Sequence, residues 1–233
     1  MIDDDSDEGG HGFLAFALEA GCAKLTAHHD MGSFFKKFAA SCIVIAGLVG
    51  GLFVISHGDP LYFVKEKLSL GAYSQYDPII AKVARENGVE FDLIKAVIWQ
   101  ESRFGAHKIG TSGERGLMQV TEAAAADWAK ANNVANFEPE KLFDPETNIS
   151  VGAWYLKRAL DHYRKKDRPL SFALTEYNAG RSRVKRWIGK PEAGESPMSA
   201  EEMKQKSFDS TRDYVESIEH RYEYYKKAGA NRL

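Results

Sequence analysis

Cysteine is nearly absent from this sequence. The 233 residues contain two, Cys22 and Cys42, and neither lies after residue 57. The C-terminal part of the chain therefore cannot contain a disulfide, and no cysteine pair has zinc-site spacing. The adjacent His28 and His29 are too isolated to predict a metal site. Internal repeats are also missing, and a composition of 44% apolar and 27% charged residues is typical of a globular protein.

Net charge is small, at −2, but it is unevenly distributed. Residues 1–33 contain seven Asp and Glu residues against one Lys, an excess of six negative charges. Residues 57–233 contain 28 Lys and Arg residues against 26 Asp and Glu residues, a balance of +2. Such a mixed, mildly basic surface gives no indication of nucleic-acid binding, so no nucleic-acid partner is expected.

Charged residues are missing altogether from residues 38–56, a run of nineteen. As a helix this run would span roughly 28 Å, close to the hydrocarbon thickness of a bilayer. Lys36 and Lys37 precede it, and the positive-inside rule then keeps the N-terminus in the cytoplasm and exports the rest. We predict a transmembrane anchor or uncleaved signal over residues 34–56. An acidic, disordered cytoplasmic tail (1–33) would precede it and a linker (57–75) would follow it.

A cleaved signal peptide is the alternative interpretation of this segment. Translation from Met31 instead of Met1 would give the layout of an export signal, but no A-x-A cleavage site follows the apolar run. Lipid modification of Cys42 is disfavoured because the apolar stretch before it is short. The sequence favours an anchor over cleavage and leaves the start codon open.

Helix start and stop signals follow one another through residues 76–233 and predict an all-α domain. Asp77 and Asp144 are each predicted to cap a helix and are followed by a proline at the first helical position. Thr121 is predicted to cap an alanine-rich stretch, and Ser199 with Glu202 forms a capping box. The predicted helices run from 77 to a stop at Gly88, from about 92 to 101, from 122 to 131, from 144 to about 163, from 169 to 180, around 184–187, from 199, and from about 211 to 227 with a stop at Gly229. Only residues 107–115 are expected to form a small hairpin.

Glu101 ends an apolar helix and is flanked by Trp99 and Phe104. Desolvation in such a place disfavours the charged carboxylate and should raise its pKa. A glutamate that stays protonated near neutral pH can donate a proton to a glycosidic oxygen. Alone, however, a glutamate at a helix end is more often a surface residue, so the prediction depends on the motifs around it.

Four motifs occur in order in this sequence. They are Glu101-Ser102, then Gly116-Leu117-Met118-Gln119, then Asn148-Ile149 with Gly152 and Tyr155-Leu156, and finally Tyr177-Asn178-Ala179-Gly180. With these motifs, residues 76–220 resemble the soluble-type lytic transglycosylases, relatives of goose-type lysozyme. The resemblance implies a compact, all-α lysozyme-like domain with peptidoglycan glycan strands as its partner. This domain follows the one N-terminal transmembrane helix that the uncharged run predicts. Together they predict a bacterial inner-membrane protein with its catalytic domain in the periplasm.

The resemblance implies roles for individual residues. Glu101 resembles the catalytic acid, Gln119 resembles a side chain lining the sugar cleft, and Tyr177 with Asn178 resembles the pair that closes the cleft. The expected substrate-binding residues are Gln119, Tyr177, Asn178, Ser102 and Thr121. Each also has a structural alternative: Gln119 bonding a turn carbonyl, Tyr177 in the core, Asn178 capping a helix, and Ser102 bonding at a helix end.

The sequence departs from the family pattern at three cleft positions. Gly110 stands where many members have a serine whose hydroxyl touches substrate, and Thr111 or Ser112 are the possible substitutes. Thr121 stands where methionine is frequent, and Ser210 replaces an acidic residue. These changes concern sugar contacts, so they affect subsite preference more than reaction type.

The implied reaction cleaves the bond between N-acetylmuramic acid and N-acetylglucosamine and leaves 1,6-anhydromuramoyl ends. Glu101 serves as acid and then as base, and no metal or organic cofactor is expected. A hydrolytic muramidase is one alternative; it would need a second carboxylate, with Glu114 or Glu122 as candidates that are both expected on the surface. A non-catalytic glycan-binding module of an envelope-spanning machine is the other alternative.

Overall fold

The computed structural model describes residues 33–54, 60–69, 71–189 and 197–230. It divides into two units, residues 1–60 and residues 61–233. In the first unit, helix α1 (Ser33–Val54) has 22 residues, a mean hydropathy of 2.0 over its most apolar window, and no part of that window buried. Helix α1 is therefore a candidate membrane span by length and composition, although signal sequences share these properties. Of the predicted acidic tail (1–33), residues 1–32 lie outside the described residues, and Ser33 begins α1.

The remaining described residues are helical with irregular connections. The α-helices are α2 (Pro60–Leu68), α3 (Asp77–Asn87), α4 (Phe91–Ser102), α5 (Glu122–Ala131), α6 (Pro145–His162), α7 (Pro169–Ala179), α8 (Arg181–Ile188), α9 (Ala200–Lys206) and α10 (Asp209–Ala230), with a 3-10 helix at Pro139–Phe143. No strand occurs in the described ranges, and isolated bridges join Ile109 to Arg115 and Arg115 to Val120. The all-α prediction is confirmed, and the expected hairpin is a loop held by these bridges.

Side-chain caps begin three of these helices as the sequence predicts. Thr121 Oγ1 accepts a hydrogen bond from Ala124 N at 3.2 Å, and Asp144 Oδ2 accepts one from Thr147 N at 2.8 Å. Ser199 and Glu202 form both bonds of the capping box. Each cap satisfies backbone donors that a helix start would otherwise leave unpaired.

Two expectations about helix ends are wrong. Asp77 does not cap α3, because its carboxylate is paired with Lys95 Nζ at 2.7 and 2.9 Å, and Lys95 is 2% exposed. The nearly buried ammonium needs a counter-charge more than the helix start needs a cap. Gly229 does not end α10, which continues to Ala230. A glycine stop requires a left-handed residue, and Gly229 does not have a positive φ.

The core of the second unit lies around α4. Ile94, Val97 and Ile98 of this helix are fully buried, as is Ile218 of α10. Helix α4 packs against α3 and α10, while α6 packs against α3 and α7. Tyr73 stacks on Phe104 at a ring distance of 5.3 Å, so packing onto the core begins within the stretch predicted as a linker. This arrangement brings the C-terminal end of α4 beside α10.

Candidate active site

Glu101 lies in the last turn of α4, where the buried helix reaches a cleft. Its Oε1 accepts a hydrogen bond of 2.6 Å from the hydroxyl of Tyr214 on α10. Tyr214 is 6% exposed and belongs to the core, so its ring cannot easily move. The Glu101 carboxyl is therefore held from behind by the packed helices and faces the cleft in front.

The environment of Glu101 changes its proton affinity. Burial raises its pKa to about 7, and the negative charge of Glu114 adds to the rise, while the Tyr214 hydrogen bond and the positive charge of Lys108 lower it. The sequence predicted this direction from desolvation. A carboxyl with a pKa near 7 has both protonation states populated at neutral pH, so Glu101 can donate a proton and later accept one.

The cleft in front of Glu101 has a volume of about 410 Å³. Its walls are Glu101, Lys108, Ile109, Gly110, Thr111, Glu114, Gln119, Thr121, Tyr177 and Asn178. The structure thus brings together Glu101 and four of the five side chains expected to bind substrate. Ser102 is the one that it does not bring into the cleft wall.

Gln119 belongs to the turn at the cleft wall. It has a left-handed backbone with a φ of 47°, which is uncommon for a residue other than glycine. Its Nε2 donates to the carbonyls of Gly116 at 2.9 Å and Lys108 at 3.1 Å. The structural alternative for Gln119, a bond to turn carbonyls, is therefore observed. These bonds also fix the side-chain amide, whose oxygen then has a defined position at the cleft.

Tyr177 and Asn178, at the end of α7, connect other elements to the cleft. The Tyr177 hydroxyl donates to the carbonyl of Met118 at 3.0 Å, and its ring contacts Tyr155 edge to face at 6.4 Å. Asn178 Oδ1 accepts a hydrogen bond of 2.9 Å from Thr211 Oγ1 on α10. The two residues therefore tie α7 to the Gln119 turn on one side and to α10 on the other.

Ser102 is buried behind the cleft. Its hydroxyl bonds the carbonyls of Leu117 at 2.7 Å and Ile98 at 3.2 Å. The first of these contacts joins the end of α4 to the turn that carries Gln119. The structural interpretation of Ser102 as a helix-end hydrogen bonder thus describes its observed contacts.

Asn148 of α6 supports the same turn from inside the protein. It is 1% exposed; its Oδ1 accepts from Met118 N at 2.8 Å, and its Nδ2 donates to the carbonyls of Leu142 at 2.7 Å and Arg115 at 2.8 Å. Gly116 in the turn has a φ of 78°, and a Cβ there would lie 2.3 Å from Asn148 Nδ2. Asn148 can therefore occupy its place beside the turn only because position 116 is a glycine.

Tyr214 and Lys108 were not predicted as site residues, and Glu114 was named only as a candidate second carboxylate for the muramidase alternative. Tyr214 is 113 positions from Glu101, and its inward spacing with Ile218 along α10 indicates only a core residue. Glu114 is partly buried in the cleft wall, so its expected surface position is wrong. Glu122 is exposed as expected and pairs with Arg115 at 2.7 Å. Within the described residues, no group of three or more His, Cys, Asp or Glu side chains is arranged to hold a metal ion.

The chain matches known proteins over this region. Residues 78–197, just over half of the chain, match the family model of the transglycosylase SLT domain. The soluble lytic murein transglycosylase of Salmonella typhimurium is 29% identical over 144 residues, which are 61% of this chain and 22% of that protein. The membrane-bound lytic murein transglycosylase F of Desulfosudis oleivorans is 32% identical over 114 residues, which are 48% of this chain and 23% of that protein. The chain thus spans less than a quarter of either relative.

A solved structure shares the fold. The 70-kDa soluble lytic transglycosylase of Escherichia coli superposes with a TM-score of 0.57 at 27% identity, over 65% of this chain and 24% of that one. The expected all-α, lysozyme-like fold is thereby confirmed.

Proposed function

Since the chain belongs to the transglycosylase SLT domain family, we propose that it cleaves the glycan strands of bacterial peptidoglycan. The scissile bond is the β-1,4 bond from N-acetylmuramic acid to N-acetylglucosamine, and Glu101 is the proton-transfer residue. The observation that carries the proposal is the Glu101 carboxyl, set in a cleft with a pKa raised by burial to about 7. The names of the relatives, lytic murein transglycosylases, support the choice of polymer.

Glu101 acts first as a general acid. Tyr214 occupies Oε1, so the proton of the neutral acid resides on Oε2. Glu101 transfers this proton to the glycosidic oxygen. The bond between that oxygen and the anomeric carbon of the muramoyl residue then breaks, and the N-acetylglucosamine part of the strand leaves with the oxygen. The substrate's own acetamido group stabilises the positive anomeric centre, so one protein carboxyl suffices where most glycosidases use two.

Glu101 acts next as a general base. Its carboxylate, stabilised by the Tyr214 hydroxyl and by the charge of Lys108, removes the proton of the muramoyl 6-hydroxyl. The oxygen attacks the anomeric carbon and closes a 1,6-anhydro ring, which restores neutral Glu101. No water is consumed, and these steps need neither a metal nor an organic cofactor. Gln119, Thr121, Tyr177 and Asn178 line the cleft and hold the sugars during both steps.

Hydrolysis by the same cleft is the second candidate function. A muramidase needs a second carboxylate to activate water or to stabilise the cation. Within the described residues, Glu114 is the other carboxylate of the cleft wall, and this observation supports the alternative. In that case the new muramoyl end is reducing and carries an oxygen from water.

The end groups of the products test the proposed reaction. Purified sacculi digested with the full chain are expected to yield muropeptides with 1,6-anhydromuramoyl ends, because Glu101 delivers the substrate's own hydroxyl to the anomeric carbon. Mass spectrometry distinguishes these ends from reducing ends by the mass of one water. A digest dominated by reducing ends would favour the muramidase, and intact sacculi would favour a glycan-binding module.

We also propose that α1 anchors the protein in the inner membrane. The second unit (residues 61–233), which carries Glu101, then lies in the periplasm as the catalytic unit. Lys36 and Lys37 precede the apolar run and support this orientation by the positive-inside rule. The uncharged run and the unburied surface of α1 support a lipid environment.

Protease accessibility in spheroplasts tests this topology. The chain is expected to sediment with membranes and to lose its C-terminal unit to external protease in intact spheroplasts. Lys36→Glu with Lys37→Glu is expected to reduce export, whereas the same exchange at Lys226 and Lys227 leaves it unchanged. Protection of the C-terminal unit, or its release into the periplasm without α1, would contradict the anchored topology.

A further inference from the structure

Gly110 lies in the cleft wall, where neighbouring side chains leave no room for a Cβ atom. A Cβ at this position would lie 2.3 Å from Glu114 Oε2, 2.9 Å from Gln119 Oε1 and 3.2 Å from Glu114 Cβ. Gly110 is not among the residues with positive φ, so its backbone conformation is open to any residue. The side chain of Glu114 therefore occupies the volume that a side chain at position 110 would fill.

The loop between these two residues holds Glu114 in this place. Gly110 N donates to the Glu114 carbonyl at 2.7 Å, and Ser112 N donates to Glu114 Oε2 at 3.0 Å. Gln119, the other neighbour of Gly110, has its amide nitrogen committed to two carbonyls and cannot easily shift. The carboxylate is thus held against the cleft wall by one hydrogen bond from the loop.

Glu114 retains free acceptor capacity toward the cleft. A carboxylate has about four lone-pair sites, and the bond from Ser112 uses one of them. No salt bridge of the described residues includes Glu114. A partly buried carboxylate with unused acceptors is suited to hydroxyl and amide donors of a ligand.

We propose that Glu114 is a specificity-determining residue, whose carboxylate accepts hydrogen bonds from sugar hydroxyl or acetamido N–H groups in the space left by Gly110. The identity of the ligand as a peptidoglycan glycan rests on the proposed function. A carboxylate held in the cleft wall selects a sugar rich in neutral donors at this subsite and disfavours a second carboxylate in the same position. The cleft wall has room for one polar side chain beside Gln119. That side chain can come from position 110 or from position 114, but not from both.

Binding experiments in a Glu101→Gln background separate this role from catalysis. The probe is a tetrasaccharide of alternating N-acetylglucosamine and N-acetylmuramic acid, titrated calorimetrically into the full chain in detergent. Glu114→Ala is expected to raise the Kd by about tenfold or more, tenfold being the lower end of the loss for a hydrogen bond to a charged group. Gly110→Ala is expected to do the same, because the added Cβ displaces the Glu114 carboxylate. Exposed Glu146, changed to Ala, is the control of equal charge and should leave the Kd unchanged.

Double variants distinguish a ligand contact from a purely structural role. Gly110→Ala with Glu114→Ala is expected to be no worse than either single variant, and Gly110→Ser with Glu114→Ala is expected to regain most of the affinity. If Glu114 only braces the loop through Ser112, Glu114→Gln binds like the parent and the serine double variant stays weak. The proposal would be overturned by parent-like affinity in Glu114→Gln together with a weak serine double variant. It would also be overturned by an unchanged Kd in Glu114→Ala, or by losses of affinity that add up in the Gly110→Ala, Glu114→Ala double variant. Wrong reaction chemistry would instead appear in the digests, because binding here is measured without Glu101.

Discussion

Glu101→Gln is expected to lower the rate of sacculus digestion by about 10³-fold or more, which is the upper range of a general acid–base contribution. Glutamine keeps the shape of the side chain and still accepts a hydrogen bond from Tyr214, but it cannot donate a proton to the glycosidic oxygen or remove one from the 6-hydroxyl. Dye release from labelled sacculi measures the loss. Glu146→Gln, on the exposed start of α6, is the matched control and should keep the parent rate. Equal rates in the two variants would remove Glu101 from the mechanism.

The same variant is expected to change the pH dependence of stability. The folded pKa of Glu101, about 7, lies above the value near 4.5 of a free glutamate, so the neutral form is favoured by folding. The contribution of neutral Glu101 to the free energy of unfolding is complete below about pH 4.5 and is lost as the pH rises through about 7. Since glutamine does not titrate, Glu101→Gln should exceed the parent in free energy of unfolding by about 2 kcal/mol at pH 8, with allowance for partial solvation, and match it at pH 4.5. Urea unfolding at both pH values measures the difference, and a constant difference would contradict the raised pKa.

Asn148→Ala is expected to destabilise the second unit by about 4 kcal/mol, because truncation leaves the buried Met118 N–H and the buried Leu142 carbonyl without their partner. It also removes one of the two hydrogen bonds to the Arg115 carbonyl, which keeps its bond from Val120 N. Activity is expected to fall about 100-fold as well, since the displaced turn carries Gln119 and the Met118 carbonyl that holds Tyr177. Urea unfolding and dye release measure the two effects on the same preparation.

Asn132→Ala is the matched control for this substitution. Asn132 directly follows α5, and its exposed amide donates to the carbonyl of Trp128 in the last turn of that helix. Its loss should cost less than about 1 kcal/mol and leave activity unchanged. A similar, small effect in both variants would mean that the Gly116–Gln119 turn is held by other contacts, and the structural account of the motif would be wrong.

Local signals in the sequence predict most of the fold because they act over a few residues. Thr121, Asp144 and the Ser199–Glu202 box begin helices where expected, since each cap binds a backbone group of its own first turn. The prediction is wrong where a distant partner competes. Asp77 has the local context of a cap, but Lys95 on the next helix takes its carboxylate.

The candidate site was predicted where its residues belong to short motifs and missed where contacts are long-range. Glu101 and Gln119 are recognisable from their neighbours, whereas Tyr214 becomes part of the site only through the packing of α10 on α4. Glu114 has the character of a surface glutamate in a loop, and its position depends on the space above Gly110. The packing of α10 on α4 and the space at Gly110 follow no fixed spacing along the chain, so a sequence motif cannot reveal them.

The oxygen at the newly formed muramoyl end tests most directly whether Glu101 delivers the substrate's own hydroxyl. Sacculi are digested by the full chain in ¹⁸O-labelled water, and the muropeptides are analysed by mass spectrometry, with the Glu101→Gln variant as the blank. We expect 1,6-anhydro ends that carry no ¹⁸O and are missing from the blank. Reducing ends that each carry one ¹⁸O would contradict this expectation and identify water as the nucleophile.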